Sequence, residues 1–353
     1  MKNINLKTNI KKFIFRDRGP KKTRYKFLRL DKNERVSDFK ISFFNRILKK
    51  FKPHHLTAYP ELENLYKLIA RTNKLAKEQL VITPGSDGAI RMCFDLFTKK
   101  NDKIICLKPT FAMVEIYSKT HSLKQIKIGY DSDLNLDLDF LYKKINSKIS
   151  LIILANPNSP TGTIIEERNL TKILNLSQKK NIPVLIDEAY YGFSKFTALP
   201  LIKKYKNLVV ARTFSKAYGL AGCRAGYLAT NKNLAKKFFS LKPMYEINSL
   251  ATLFISEFIK NRVDKKYVSE TTKGKKLLIK FLKNKNINFF DTYANFIHID
   301  FGKSRKKILK EFKRKKILIK GELSVKNLLN FTRITTGPLK EINKVIKILK
   351  RYI

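Results

Sequence analysis

Apolar residues in this chain gather into short runs bounded by Pro, Gly, Asn and Asp, and these runs alternate with stretches of helical periodicity. Leu80–Thr83 reads as a strand broken by Pro84-Gly85. From Ser86 onward Ala89, Ile90, Cys93, Phe94 and Phe97 share one helical face. Lys103–Leu107 is a second strand, stopped at Pro109. Residues 150–155 are nearly continuous in apolar side chains, as in a strand covered on both faces, and they run into the turn-dense loop Asn156-Pro-Asn-Ser-Pro-Thr-Gly162. Residues 184–186 and 208–211 repeat the pattern. Polar groups follow each of these runs: Asn156, then Asp187, then Thr213, Ser215 and Lys216. Ligands of open α/β sheets collect beyond the carboxyl ends of the strands, so these groups are expected to converge. Towards the C-terminus, helices over 250–259 and 304–316 mix with strands Phe296–Asp300 and Phe331–Thr335. The pattern predicts an α/β protein with a large domain, residues 46–246, whose central sheet is mostly parallel and flanked by helices. A smaller α+β domain is expected from both chain ends, 1–45 and 247–353.

At 353 residues the chain can bury a core divided between two such units. No apolar run approaches the roughly 20 residues that span a bilayer, so no membrane association is expected. Residues 1–32 lack the apolar centre of a secretory signal. The three cysteines, Cys93, Cys106 and Cys223, have no metal-type spacing, which fits a reduced, cytoplasmic setting and predicts no metal site. A net charge of +47 raises the question of a nucleic-acid partner. The lysines are spread as pairs (Lys11-Lys12, Lys49-Lys50, Lys179-Lys180, Lys315-Lys316) without interleaved aromatics or a recognised DNA-binding motif. Together with the abundance of Ile and Asn, this reads as compositional drift rather than a specific nucleic-acid site. The field can still help to collect anionic substrates.

Against that background one lysine stands out by its setting. In Arg212-Thr-Phe-Ser-Lys216-Ala-Tyr-Gly-Leu-Ala-Gly-Cys-Arg224-Ala-Gly226 an amine lies between hydroxyl residues and a small-residue run that ends in arginine. An amine that condenses with an aldehyde, hydroxyls that reach a phosphate and a guanidinium that neutralises it are what pyridoxal 5'-phosphate (PLP) requires. Seven further strings occur with it: Tyr59-Pro-Glu, Pro84-Gly-Ser-Asp-Gly88, Lys108-Pro-Thr-Phe111, Ala155-Asn-Pro-Asn-Ser-Pro-Thr-Gly162, Ile186-Asp-Glu-Ala-Tyr190, Tyr293-Ala-Asn-Phe296 and Thr332-Arg-Ile-Thr335. In kind and order they resemble the fold-type I, PLP-dependent aminotransferases of class I/II, and most closely the histidinol-phosphate aminotransferase branch. The resemblance covers most of residues 55–340.

The resemblance implies a role for each position, and the chemistry of each residue agrees with it. Lys216 would hold PLP through its amine and then move the proton at the substrate Cα. Asp187 would keep the pyridine nitrogen protonated, so that the ring draws electrons. Glu188, adjacent on a strand, is expected to face away. Tyr190 and Asn156 would hydrogen-bond the phenolic oxygen of the cofactor, with Tyr191 as the alternative to Tyr190. Phe111 would stack on the ring, where tyrosine is common in the family. Ser86 and Asp87, at the start of a helix, would hold the phosphate with Thr213, Ser215 and Arg224. Tyr59 would reach the phosphate in the partner subunit, so a homodimer is implied. Arg333 would grip the anionic end of the substrate, with Lys320 beside it.

Two stretches depart from the histidinol-phosphate pattern. The chain reads Asp31-Lys-Asn-Glu-Arg-Val-Ser-Asp38 where that branch has Asn-Glu-Asn-Pro, and residues 9–30 lack its tyrosine-containing segment. Lys320 stands where a second arginine is expected. The resemblance therefore implies amino transfer from a donor such as glutamate, giving 2-oxoglutarate, with histidinol phosphate as the leading substrate. An aminotransferase of another sugar, phosphonate or amino-acid pathway, and a PLP-dependent amino-acid-phosphate decarboxylase, remain alternatives. A nucleic-acid-binding protein is the non-enzymatic one.

Overall fold

The computed structural model describes residues 24–323 and 325–353. Lys11-Lys12 and residues 9–23 of the divergent N-terminal segment lie outside the described residues. The described residues form twelve strands: β1 Leu28–Leu30, β2 Leu80–Thr83, β3 Lys103–Leu107, β4 Lys124–Ile128, β5 Ile149–Ala155, β6 Val184–Asp187, β7 Leu208–Thr213, β8 Gly226–Ala229, β9 Phe289–Phe290, β10 Phe296–Asp300, β11 Ile317–Ile319 and β12 Phe331–Thr335. Seven make the central sheet, in the order β2-β8-β7-β6-β5-β3-β4. Strands β3 to β7 are parallel, and β8 runs against both β7 and β2. The sheet is mixed with a parallel centre, the fold class that the apolar runs predict.

Alternation along these strands explains why they read as continuous apolar runs. Ile82, Ile105, Ile152, Leu154, Ile186 and Val210 enter the core on one face. Val81, Ile104, Leu151, Ile153, Leu185 and Val209 enter the core on the other, against Ala89, Ile90, Cys93 and Phe94 of the helix Gly85–Phe97. Each face is covered, so both sets of side chains must be apolar. Register then levels the strand ends: Ala155 lies beside Asp187, and Asp187 beside Ala211. The residues just beyond them share one edge.

A second assembly pairs β10 with β9 and β12 in antiparallel fashion and β1 with β11 in parallel. Its core joins Leu30 and Val36 to Leu278, Ile299, Phe312, Ile334, Ile342 and Leu349. Packing draws the division differently from the expected 45/46 and 246/247 boundaries. The helix Ser249–Lys260, through Ala251, Phe254, Ile255 and Phe258, belongs to the core of the large sheet, with Phe39 and Phe43 packed against it. The 22-residue helix Val263–Asn284 spans the two cores, with Val263 on the first and Leu278 and Leu282 in the second. Its run of lysines hid its sparse apolar stripe from a periodicity reading. No described helix is long and apolar enough to cross a membrane, and no group of three or more potential metal ligands occurs among the described residues.

Candidate active site

A cavity of about 480 Å³ opens at the carboxyl ends of β5, β6 and β7, against the second assembly. Ten of the predicted residues line it: Ser86, Asp87, Phe111, Asp187, Tyr190, Thr213, Ser215, Lys216, Arg224 and Arg333. They come from far-separated stretches, and the level strand ends bring them together.

One end of the cavity is built to hold an anion. The helix Gly85–Phe97 starts there, with its first N–H groups free of helical partners. Gly85 has φ 74°, and a Cβ on Gly226 would press on Gly85 C at 2.6 Å and Ser86 N at 2.8 Å. Only glycine on β8 lets the helix start approach this closely. Thr213 donates from Oγ1 to Ser215 Oγ at 3.0 Å, so both hydroxyls face the same space. Arg224, at φ 50°, brings its guanidinium over Gly85. The Asp87 carboxylate is turned aside, accepting from Tyr117 Oη at 3.0 Å.

Asp187 shares its face of β6 with Leu185, so it emerges beneath that helix. It is 5% exposed and accepts from Ala189 N–H at 3.0 Å, with no cation in ion-pair distance among the described residues. Burial pushes its pKa up to about 7; the Asp87 and Glu188 carboxylates add to the rise, and the Ala189 N–H and Lys216 ammonium oppose it. Glu188, on the opposite face, accepts from Arg212 Nε at 2.9 Å and from Ala198 N–H at 2.5 Å. It faces away from the cavity, as strand alternation requires.

Lys216 Nζ donates to Lys32 O at 3.2 Å and lies 5.7 Å from the centre of the Tyr190 ring. Tyr190 is buried, which raises its phenol pKa. The Lys216 and Arg333 cations and hydrogen bonds from Ser159 and Asn33 outweigh this and hold it below the ordinary phenol value. Tyr191 turns to the other side, under the Arg212 guanidinium at 4.1 Å. Arg333 donates from Nη2 to Asp31 O at 2.9 Å, and its Nε is buried without a partner.

Comparison with known proteins places this geometry. Residues 39–349 match the family model "Aminotransferase class I and II". The histidinol-phosphate aminotransferase of Thermoanaerobacter pseudethanolicus is 32% identical over 94% of this chain and 93% of its own length. The chain belongs to the class I and II aminotransferases. Among solved structures, the histidinol-phosphate aminotransferase of Sinorhizobium meliloti, determined in complex with pyridoxal-5'-phosphate, superposes with a TM-score of 0.84 at 20% identity, covering 99% of this chain and 98% of that one. The L-threonine-O-3-phosphate decarboxylase of Porphyromonas gingivalis superposes with a TM-score of 0.74 at 19% identity, covering 92% and 99%. These two likenesses carry the fold.

The aminotransferase cavity fits PLP on its own residues. Asp187 is a buried carboxylate that lacks the cation a protonated ring nitrogen would supply. A primary amine, an aromatic wall at Phe111 and a helix start with two hydroxyls and a guanidinium complete the set.

Three expected residues lie elsewhere. Asn156 does not line the cavity: its Nδ2 donates to Ile165 O at 3.0 Å and its Oδ1 accepts from Ile165 N–H at 2.9 Å. Both ends of the amide help to close the 156–165 loop, and one of the two Nδ2 hydrogens takes part in that closure. Ser159 occupies the cavity wall instead and reaches Tyr190. Lys320 is exposed and outside the lining, meeting Arg333 only through a two-way backbone bridge of 3.1 and 2.9 Å. Tyr59 is 74% exposed and stacks on Tyr245 with centroids 4.1 Å apart. Lys32, Asn33, Glu34 and Ser159 line the cavity without having been picked from sequence. The polar loops holding them have no periodicity to distinguish them, although residues 31–38 are where the family pattern breaks.

Proposed function

We propose that this chain is a PLP-dependent aminotransferase that takes an amino group from a donor such as glutamate and passes it to a phosphorylated keto compound, with histidinol phosphate and its keto partner as the substrate pair. The observation that carries the reading is Asp187, buried with no cation in ion-pair distance among the described residues, in one cavity with the Lys216 amine and an anion-holding helix start. PLP supplies the electron-withdrawing ring and the aldehyde. Asp187 would hold the proton on the ring nitrogen, Lys216 Nζ would move the proton at the substrate Cα, and Tyr190 and Asn156 would hydrogen-bond the phenolic oxygen, with Ser159 holding Tyr190. Ser86, Thr213, Ser215 and Arg224 hold the phosphate. Arg333, which lines the cavity, would offer its guanidinium to the anionic end of the substrate. Tyr59 does not line its own cavity, and it stacks on Tyr245, itself exposed, which supports a homodimer in which Tyr59 of the partner subunit completes the phosphate site.

The test is a panel of amino donors added to the purified protein. Glutamate and histidinol phosphate are expected to bleach the visible band of the bound cofactor, and 2-oxoglutarate to restore it. Lys216→Ala is expected to lower turnover by about 10³-fold or more. Carbon dioxide release from a phosphorylated amino acid without any keto acid would replace amino transfer by decarboxylation.

A further inference from the structure

Three consecutive residues after β1 contact three groups around the cavity. Asp31 O accepts from Arg333 Nη2 at 2.9 Å, Lys32 O accepts from Lys216 Nζ at 3.2 Å, and Asn33 Nδ2 donates to Tyr190 Oη at 2.8 Å. Asn33 is 2% exposed and has φ 55°, a left-handed conformation that asparagine tolerates better than most residues. Thr335 Oγ1 donates to Oδ1 at 3.1 Å and accepts the Asn33 N–H at 3.0 Å, which leaves the NH₂ group to face Tyr190. Asn295 Nδ2 fixes the Asn33 carbonyl at 3.2 Å.

We propose that Asn33 is a positioning residue: by donating to Tyr190 it fixes the phenol and strengthens its hydroxyl as a donor towards the reacting group. The proposal rests on the reading of Tyr190 as a partner of the cofactor phenolic oxygen. Asn33 hangs from Thr335, two residues along β12 from Arg333. The tyrosine hydroxyl is thereby tied to the strand that carries the substrate-binding guanidinium. The charged groups acting on Tyr190 are Lys216 and Arg333, and neither is bonded to the Asn33 side chain. The lowered phenol pKa, to which Asn33 contributes, agrees with a donor at this point.

A double-mutant cycle on the holoenzyme tests this, using Asn33→Ala, Tyr190→Phe and the pair. The readouts are the pH midpoint of the visible cofactor band and the split between kcat and KM. Asn33→Ala is expected to move the midpoint upward and lower kcat about tenfold with little change in KM, the size of one lost hydrogen bond. In the Tyr190→Phe background it is expected to add less than about twofold. Asn33→Gly keeps the left-handed backbone and adds no charge while losing the donor, so it should shift the midpoint the same way even if the alanine variant folds poorly. An equal shift in both backgrounds, or none in a folded variant, overturns the proposal. Ultraviolet titration of cofactor-stripped wild-type protein against Tyr190→Phe isolates the Tyr190 phenol, which Asn33→Ala should move upward. If the chain binds no PLP, the functional reading fails while this titration still decides the pairing: an unmoved phenol sinks it.

Discussion

On one side of the central sheet Asp187 faces the cavity with a single backbone donor; on the other side its neighbour Glu188 has every partner it can use. Glu188 is 2% exposed, and its partner Arg212 also donates to Asn73 Oδ1 at 2.7 Å and Thr197 Oγ1 at 2.7 Å. Both carboxylates end the same apolar strand, and burial alone would disfavour charge on either. The Glu188 side is a closed network that holds the strand ends. The Asp187 side has no cation in ion-pair distance among the described residues and lines the cavity, as a ligand-binding group does. A buried carboxylate is therefore read by its partners, not by its burial.

Substitution separates the two sides. Asp187→Asn should lower kcat by on the order of 10²-fold or more, measured in single turnovers with glutamate, while the protein keeps its fold. Glu188→Gln should do the reverse. It leaves Arg212 buried without its countercharge and should cost about 3–5 kcal/mol in denaturant unfolding, with a smaller direct effect on chemistry. Equal losses of stability in the two variants would break the comparison.

The next effect is at the substrate end. Arg333→Lys keeps the charge but loses the fork, and should raise KM for anionic substrates roughly tenfold. Lys320→Met should change KM by less than about twofold, because the side chain is outside the cavity. A larger effect at Lys320 than at Arg333 would reverse that assignment.

The smallest effect is a pH slope in cofactor-stripped protein. Asp187 titrates at about 7 in the fold against 3.8 ordinarily, so between these values the folded state keeps a proton that the unfolded chain has released. Stability from this group is full at acid pH and is lost as pH rises towards 7. His298 works in the opposite direction: burial pulls its pKa from 6.5 to about 4, so its contribution is lost as pH falls through that window. Asp187→Asn should melt several degrees above wild type at pH 8 and close to it at pH 4, leaving the acid loss from His298 exposed. No difference at pH 8 would mean that Asp187 is already partnered.

The site was legible wherever a side chain directly follows a strand. Asp187, Lys216, Thr213 and Ser215 are placed by the ends of apolar runs, and the helix start at Gly85 by Pro84-Gly85 after β2. Asn156 is less legible, for a physical reason. It also follows a strand, but its amide closes its own loop onto Ile165, and nothing in the spelling of a turn says whether an asparagine serves the ligand or the turn.

The sequence by itself determined the alternation of strands and helices, the parallel core and the chemical types at the strand ends, because these follow from local periodicity and from what apolar strands can bury. Tertiary structure decided which groups meet. It set Asn33 against Tyr190 across 157 positions, put Lys320 outside and Arg333 inside on paired backbones, and gave Asp187 and Glu188 opposite partners. Those outcomes depend on register and on the packing of one core against another, which are long-range balances that no short stretch of chain contains.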